Sequence, residues 1–189
     1  MSAFWIALFF VLIAEMGDKT QLVALAFATR FPTSTVLIGV FGATLVVHLF
    51  SVGLGEAAGM ALPVFWLHLL AGLAFLLFGF WTLRGDTLTE EAQAAQTRFG
   101  PLLTVSLTFF LAELGDKTML TTITLASQHH SFLGVWLGST LGMVVADGLA
   151  ILVGKLLGKR LPERLIKYSA ALLFFGAGLY TLIEAWSAR

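Results

Sequence analysis

Six stretches, each near the roughly 20 apolar residues that a bilayer-spanning helix requires, dominate this chain and fix the solvent in which it folds. They run Ala3–Ala28, Val36–Leu54, Val64–Leu83, Leu102–Leu125, Phe132–Leu157 and Leu165–Ala185. A water-soluble helical bundle would show a polar face recurring every 3.6 residues, and Phe4 to Ala14 or Leu69 to Trp81 show none. Charged residues make up 12% of the chain, against about 25% in soluble domains. The expected fold class is an all-α integral membrane protein of six transmembrane helices. The first stretch has no basic n-region and no cleavage pattern, so it is expected to be retained and not removed as a signal peptide.

The absence of Cys excludes disulfide frameworks, thiolate metal sites and thiol redox chemistry. Eleven basic residues balance 11 acidic ones, which leaves no basic stripe for nucleic acid. The partners expected are the lipid bilayer and a small ion; a homo-oligomer is not indicated. The one long polar stretch, Arg84 to Pro101, holds Asp86, Glu90, Glu91 and Arg98, and its Thr87-Leu88-Thr89-Glu90 has the form of a capping box for a short surface helix. With six spans, one side of the membrane receives Arg30, Arg84, Arg98, Lys155, Lys159, Arg160, Arg164 and Lys167, and the other only Arg189. By the positive-inside rule, the linker is cytoplasmic and both termini face outward.

The chain repeats itself. Ala14-Glu15-Met16-Gly17-Asp18-Lys19-Thr20 recurs 98 residues later as Ala112-Glu113-Leu114-Gly115-Asp116-Lys117-Thr118. Gly39, Gly55, Gly59, Leu62-Pro63 and Thr82-Leu83 each meet an identical partner 99 residues on, at Gly138, Gly154, Gly158, Leu161-Pro162 and Thr181-Leu182. Repeat 1 spans residues 1–84, the linker 85–101 and repeat 2 residues 102–189. Three spans per repeat make the second copy enter the membrane from the opposite side, the inverted arrangement of many secondary transporters, whose sites lie between the repeats near the midplane.

Each repeat carries charge where lipid forbids it. Glu15 and Glu113 fall about halfway along their stretches, each followed by Asp three residues on, which places both on one helical face. Asp147 lies within the fifth stretch. With Lys19 and Lys117 these make seven formal charges, each costing roughly 2.5–3.5 kcal/mol at a helix centre. Two lysines cannot neutralise five carboxylates, Glu15, Asp18, Glu113, Asp116 and Asp147, so the cluster carries about −3 if all are ionised. A divalent cation or protons would make up the deficit, and protons compete for the same oxygens.

The donors narrow the ion. Four carboxylates with Thr20, Thr118 and Gln21 form an oxygen-rich set suited to Mg²⁺, Ca²⁺ or Mn²⁺. Zinc and copper would call for Cys or His, and His129 and His130 fall in an outer loop. His48, in the second stretch, matches Asp147 at the spacing of 99; it either lines the ion path, relays protons or packs. Met16 and Met119 adjoin the motifs, where a thioether would favour Mn²⁺ over Ca²⁺ but is more often filler. Gly17 and Gly115 admit three readings: close helix approach, local unwinding that frees carbonyls, or small-residue packing. The Phe-rich third and sixth stretches are expected to support the site from outside.

A duplicated Glu-x-Gly-Asp-Lys-Thr in the first span of each of two three-span repeats resembles a family of small cation transporters. Its members occur in the Golgi, in chloroplasts and in bacteria, are associated with manganese and calcium transport by exchange for protons, and are distantly similar to lysine exporters. The resemblance covers nearly the whole chain. It implies that Glu15, Asp18, Glu113 and Asp116 form the metal site, supported by Lys19, Lys117, Thr20 and Thr118. Bacterial six-span members look like manganese exporters, which implies efflux of Mn²⁺, or Ca²⁺, across the inner (plasma) membrane by alternating access. The resemblance implies no enzyme and no resident cofactor. The linker, with only three carboxylates, departs from the family's more acidic one. A passive cation channel, an amino-acid exporter of the lysine-exporter type and a membrane scaffold are the rival readings.

Overall fold

The computed structural model describes residues 2–84, 100–129, 131–157 and 163–187, without the side chains of Lys19, Leu157 and residues 163–167. The expected surface helix of the linker, His130, Lys159, Arg160 and Arg189 lie outside the described residues, as do the side chains of Arg164 and Lys167. Eight helices are described: α1 (Ala3–Glu15), α2 (Lys19–Ala28), α3 (Thr33–Ala61), α4 (Val64–Arg84), α5 (Pro101–Glu113), α6 (Lys117–Gln128), α7 (Phe132–Leu157) and α8 (Glu163–Ser187). Proline sets several boundaries. Pro32 precedes α3, Pro63 ends it and opens α4, and Pro101 occupies the first turn of α5, where its missing N–H has no intrahelical partner to lose.

Among the described residues, four helices are long and apolar enough to cross a membrane: Thr33–Ala61, Val64–Arg84, Phe132–Leu156 and Tyr168–Ser187, with mean hydropathies of 2.1, 2.0, 1.7 and 1.4. The first and fourth apolar stretches are not single helices. Each is divided, into α1 and α2 and into α5 and α6, at Gly17 and Gly115, both with φ of 78°. An apolar window counts residues and does not register one backbone torsion. The expected placement of each Glu–Asp pair on one continuous helical face is therefore corrected: the glutamate ends one helix and the aspartate precedes the next.

Burial is inverted relative to a soluble protein. Leu77, Phe80, Leu172 and Ile183 are at least 60% exposed, while Glu15, Glu113, Asp147, His48 and Thr121 are fully buried. Large apolar side chains facing outward around a polar interior match a hydrocarbon solvent.

The helices pack crosswise. α1 lies against α7, α2 against α7, and α3 against α5, α6 and α7. A Cβ on Gly39 would stand 2.7 Å from Val105 and 3.4 Å from the Leu102 carbonyl, so α3 and α5 approach backbone to backbone. Ninety-nine residues on, Gly138 of α7 meets Ala7 and the Phe4 carbonyl of α1 in the same way. α4 and α8 pair with each other. Phe174 stacks against Phe75 at 6.3 Å and meets Phe78 edge-on at 5.9 Å between ring centroids, and Gly72 backs on Gly178. As expected of the Phe-rich stretches, no charged residue is buried in α4 or in the described side chains of α8.

Candidate functional site

Two backbone breaks build the site. After Glu15 the chain leaves the α region at Met16 (ψ 122°), turns through Gly17 in the left-handed region and passes extended through Asp18. Leu114, Gly115 and Asp116 repeat the path. A side chain at φ 78° would cost about 1–2 kcal/mol, which is why glycine stands there. Of the three readings of these glycines, local unwinding is the one the structure adopts. It leaves carbonyls at the ends of α1 and α5 and N–H groups at the starts of α2 and α6 without intrahelical partners.

Each turn is held by the side chain four residues beyond its glycine. Gly17 N–H donates to Gln21 Oε1 at 2.8 Å, and Gly115 N–H to the Met119 sulfur at 3.3 Å. Gln21 also donates to the Ala146 carbonyl at 3.1 Å, tying the first break to the helix that carries Asp147. Met119 thus acts as an acceptor for its own break. Sequence reasoning did not find this strap; the common offset of four from each glycine was the available signal.

The two motifs meet. Lys117 Nζ, from the second, donates to Asp18 Oδ1, from the first, at 2.5 Å in a buried ion pair. Thr118 donates across to Glu15 Oε2 at 3.2 Å, while Thr20 bonds Glu15 Oε1 and, at 3.0 Å, Asp18 Oδ2. Although Asp18 and Asp116 occupy N-cap positions, neither side chain caps its own helix. Glu15 lies within electrostatic reach of Glu113, Asp18 and Asp147, and Glu113 within reach of Asp116, Asp18, Asp147 and Lys117. The five carboxylates therefore share one region. Lys19 opens α2, and its side chain lies outside the described residues.

Satisfaction is uneven. Among the described residues, both oxygens of Glu113 and both of Asp147 are buried without a hydrogen-bond partner. A buried carboxylate without a donor is tolerated only with a proton or a cation on it. Among the described residues, no three His, Asp or Glu side chains form a ready-made metal cage; the Lys117 ammonium and the Thr20 and Thr118 hydroxyls occupy the oxygens of Asp18 and Glu15. His48 is buried, with Nδ1 3.3 Å from Thr140 Oγ1. His129 ends α6.

A buried cluster of carboxylates beside two broken helices, inside an apolar-faced bundle, fits a membrane transporter. The family model described as divalent cation/proton antiporter GDT1 matches residues 3–90 and 101–189, and the chain belongs to that family. It is a transporter and not an enzyme. A protein of Vibrio cholerae named "Putative manganese exporter" is 37% identical over 183 residues, covering 96% of this chain and 90% of its own length. A GDT1-like protein of Synechocystis is 28% identical across 99% of this chain and 98% of its own length. The chloroplastic GDT1-like protein 1 of Oryza sativa is 32% identical over 94% of this chain and 61% of its own length. No solved structure matches the chain.

Proposed function

We propose that this chain exports Mn²⁺ from the cytoplasm of a bacterium in exchange for protons, with Ca²⁺ as a second substrate. The observation that carries the reading is the crossing of the two motifs, in which Lys117 and Thr118 of one bond Asp18 and Glu15 of the other. Glu15, Asp18, Glu113 and Asp116 are the metal ligands. Metal entering between the breaks displaces the Lys117 ammonium from Asp18, while Thr20 and Thr118 hold the Glu15 and Asp18 carboxylates and Gln21 holds the loosened backbone at Gly17. Lys19 supports the first motif. Asp147 and His48 belong to the ion path. The unpartnered oxygens of Glu113 and Asp147 are where protons and metal exchange.

In this reading residues 1–84 and 102–189 are inverted repeats joined by a cytoplasmic linker, 85–101. α1 with α2, and α5 with α6, make two broken spans, and both termini lie outside. The matched contacts of Gly39 and Gly138, offset by 99 and 98 residues, support this symmetry. Rocking of one repeat against the other opens the site outward, where protons take the carboxylates and the metal leaves. The name of the Vibrio cholerae relative supports manganese and outward direction.

Proteoliposomes loaded with Mn²⁺ and given an imposed pH gradient test the proposal. Mn²⁺ should move against proton flow, and Glu15→Gln or Glu113→Gln should abolish that movement. Flux that ignores the pH gradient and follows voltage would establish a channel. Unchanged manganese tolerance in cells lacking the protein, with altered amino-acid resistance, would favour the amino-acid exporter.

A further inference from the structure

Around the carboxylates the two halves of the bundle differ in chemistry. α3 and α7 run antiparallel: Leu37 lies against Gly148, Trp136 Nε1 donates to the Leu45 carbonyl at 2.9 Å, and His48 faces Thr140. Beyond Leu45, α3 also packs on α6, with Gly55 against the Ile123 carbonyl and Gly59 against that of Ser127. This half, toward the Ala61 end of α3, contains Thr121, Thr122, Ser51, Ser139, Thr140 and His48, all fully buried.

The spacings of 98 and 99 assign Thr121, Thr122, Ser51 and Ser139 the counterparts Val23, Ala24, Ala150 and Val40 in the opposite half. All four are apolar, and His48 has Asp147 as its counterpart. α3 and α5 add three buried hydroxyls on that side, Thr44, Thr104 and Thr108. The duplicated framework has therefore diverged into one half walled by hydroxyls and one walled mainly by hydrocarbon.

The hydroxyls also have a polarity. Thr121 donates its hydrogen to the Lys117 carbonyl, Thr122 to that of Thr118, Ser51 to that of Val47 and Thr140 to that of Trp136. With its hydrogen committed, each hydroxyl retains acceptor lone pairs. Thr140 can then only accept from His48, which places the imidazole proton on Nδ1. His48 Nε2, buried and unpartnered, is left as one more lone pair. Ser139 Oγ is likewise buried without a partner.

We infer that the facing surfaces of α3, α6 and the first half of α7 form an acceptor-lined half-path, with His48 Nε2 and Ser139 as stations, that opens to solvate a cation between the carboxylates and the Ala61 end. The counterpart half is the drier seal. The inference rests on the transporter reading for what moves, but its test reads water access directly.

Because the chain has no Cys, single cysteines can report that access. Thr121→Cys, Thr122→Cys, Ser51→Cys and Ser139→Cys, in phosphatidylethanolamine/phosphatidylglycerol vesicles without metal, should react with a charged methanethiosulfonate at least fivefold faster than Val23→Cys, Ala24→Cys, Ala150→Cys and Val40→Cys. In a second measurement, Thr121→Val and Ser139→Ala should lower Mn²⁺ flux at least fivefold while Mn²⁺ affinity at equilibrium stays within twofold. A smaller or reversed difference in either arm overturns the inference, and the flux arm decides for any cysteine variant that does not fold. Absence of proton-driven Mn²⁺ movement in the unsubstituted protein would defeat the transporter reading and leave the labelling pattern standing.

Discussion

Lys117 Nζ stands 2.5 Å from Asp18 Oδ1 across 99 residues of sequence, joining the second copy of the motif to the first inside the apolar bundle. Both side chains are nearly inaccessible, at 4% and 0%. Removing one partner of a buried pair typically costs about 3–5 kcal/mol, because the other charge is left uncompensated. Lys117→Met should therefore lower stability by about 3 kcal/mol in metal-free detergent solution. Saturating Mn²⁺ should restore most of that loss, by taking the position the ammonium left. Thermal unfolding with and without Mn²⁺ measures both, and a loss that metal does not repair would make the lysine purely structural.

Glu113 provides the opposite case. Among the described residues its oxygens have no hydrogen-bond donor, so Glu113→Gln breaks no described hydrogen bond and should change stability by less than about 1 kcal/mol. Exchange should fall by at least two orders of magnitude, since a buried amide cannot exchange a proton for a metal. Glu15→Gln, whose carboxylate accepts from Thr20 and Thr118, should lose stability as well as transport. Melting temperature and vesicle flux, measured on the same preparations, separate the two.

Metal and protons compete for the same carboxylate oxygens, which fixes the sign of the pH dependence. Metal binding requires deprotonated ligands and so releases protons. Lowering the pH should weaken Mn²⁺ binding, by about tenfold per pH unit for each proton displaced. Calorimetric titration in buffers of different ionisation enthalpy counts those protons. Affinity independent of pH would exclude exchange at this site.

The backbone breaks can be tested without touching a charge. Gly17→Ala and Gly115→Ala each force a side chain into φ of 78° and should cost about 1–2 kcal/mol. Asn tolerates that region better than Ala, so Gly115→Asn should lose less stability than Gly115→Ala. Equal losses in unfolding experiments would mean that the turn relaxes.

The sequence alone determined the membrane setting, the duplication and the candidate carboxylates. Apolar length, a period of 98–99 residues and charges at mid-stretch are each visible one residue at a time. It also placed His48 and Asp147 as counterparts. What the tertiary structure decided was how those residues stand to one another. Glu15 and Asp18 lie on either side of a turn and not on one helix face, because Gly17 takes a torsion that a periodicity count treats as helix. Lys117 pairs with Asp18 of the other copy, although its own Asp116 is adjacent in sequence, because the breaks are brought together only by the crosswise packing. The strap from Gln21 to Ala146 and the acceptor-only lining near His48 likewise depend on which helix lies beside which. Hydropathy and charge are properties of residues and can be read from a string. Partnership between buried groups is a property of distance, and the fold alone supplies it.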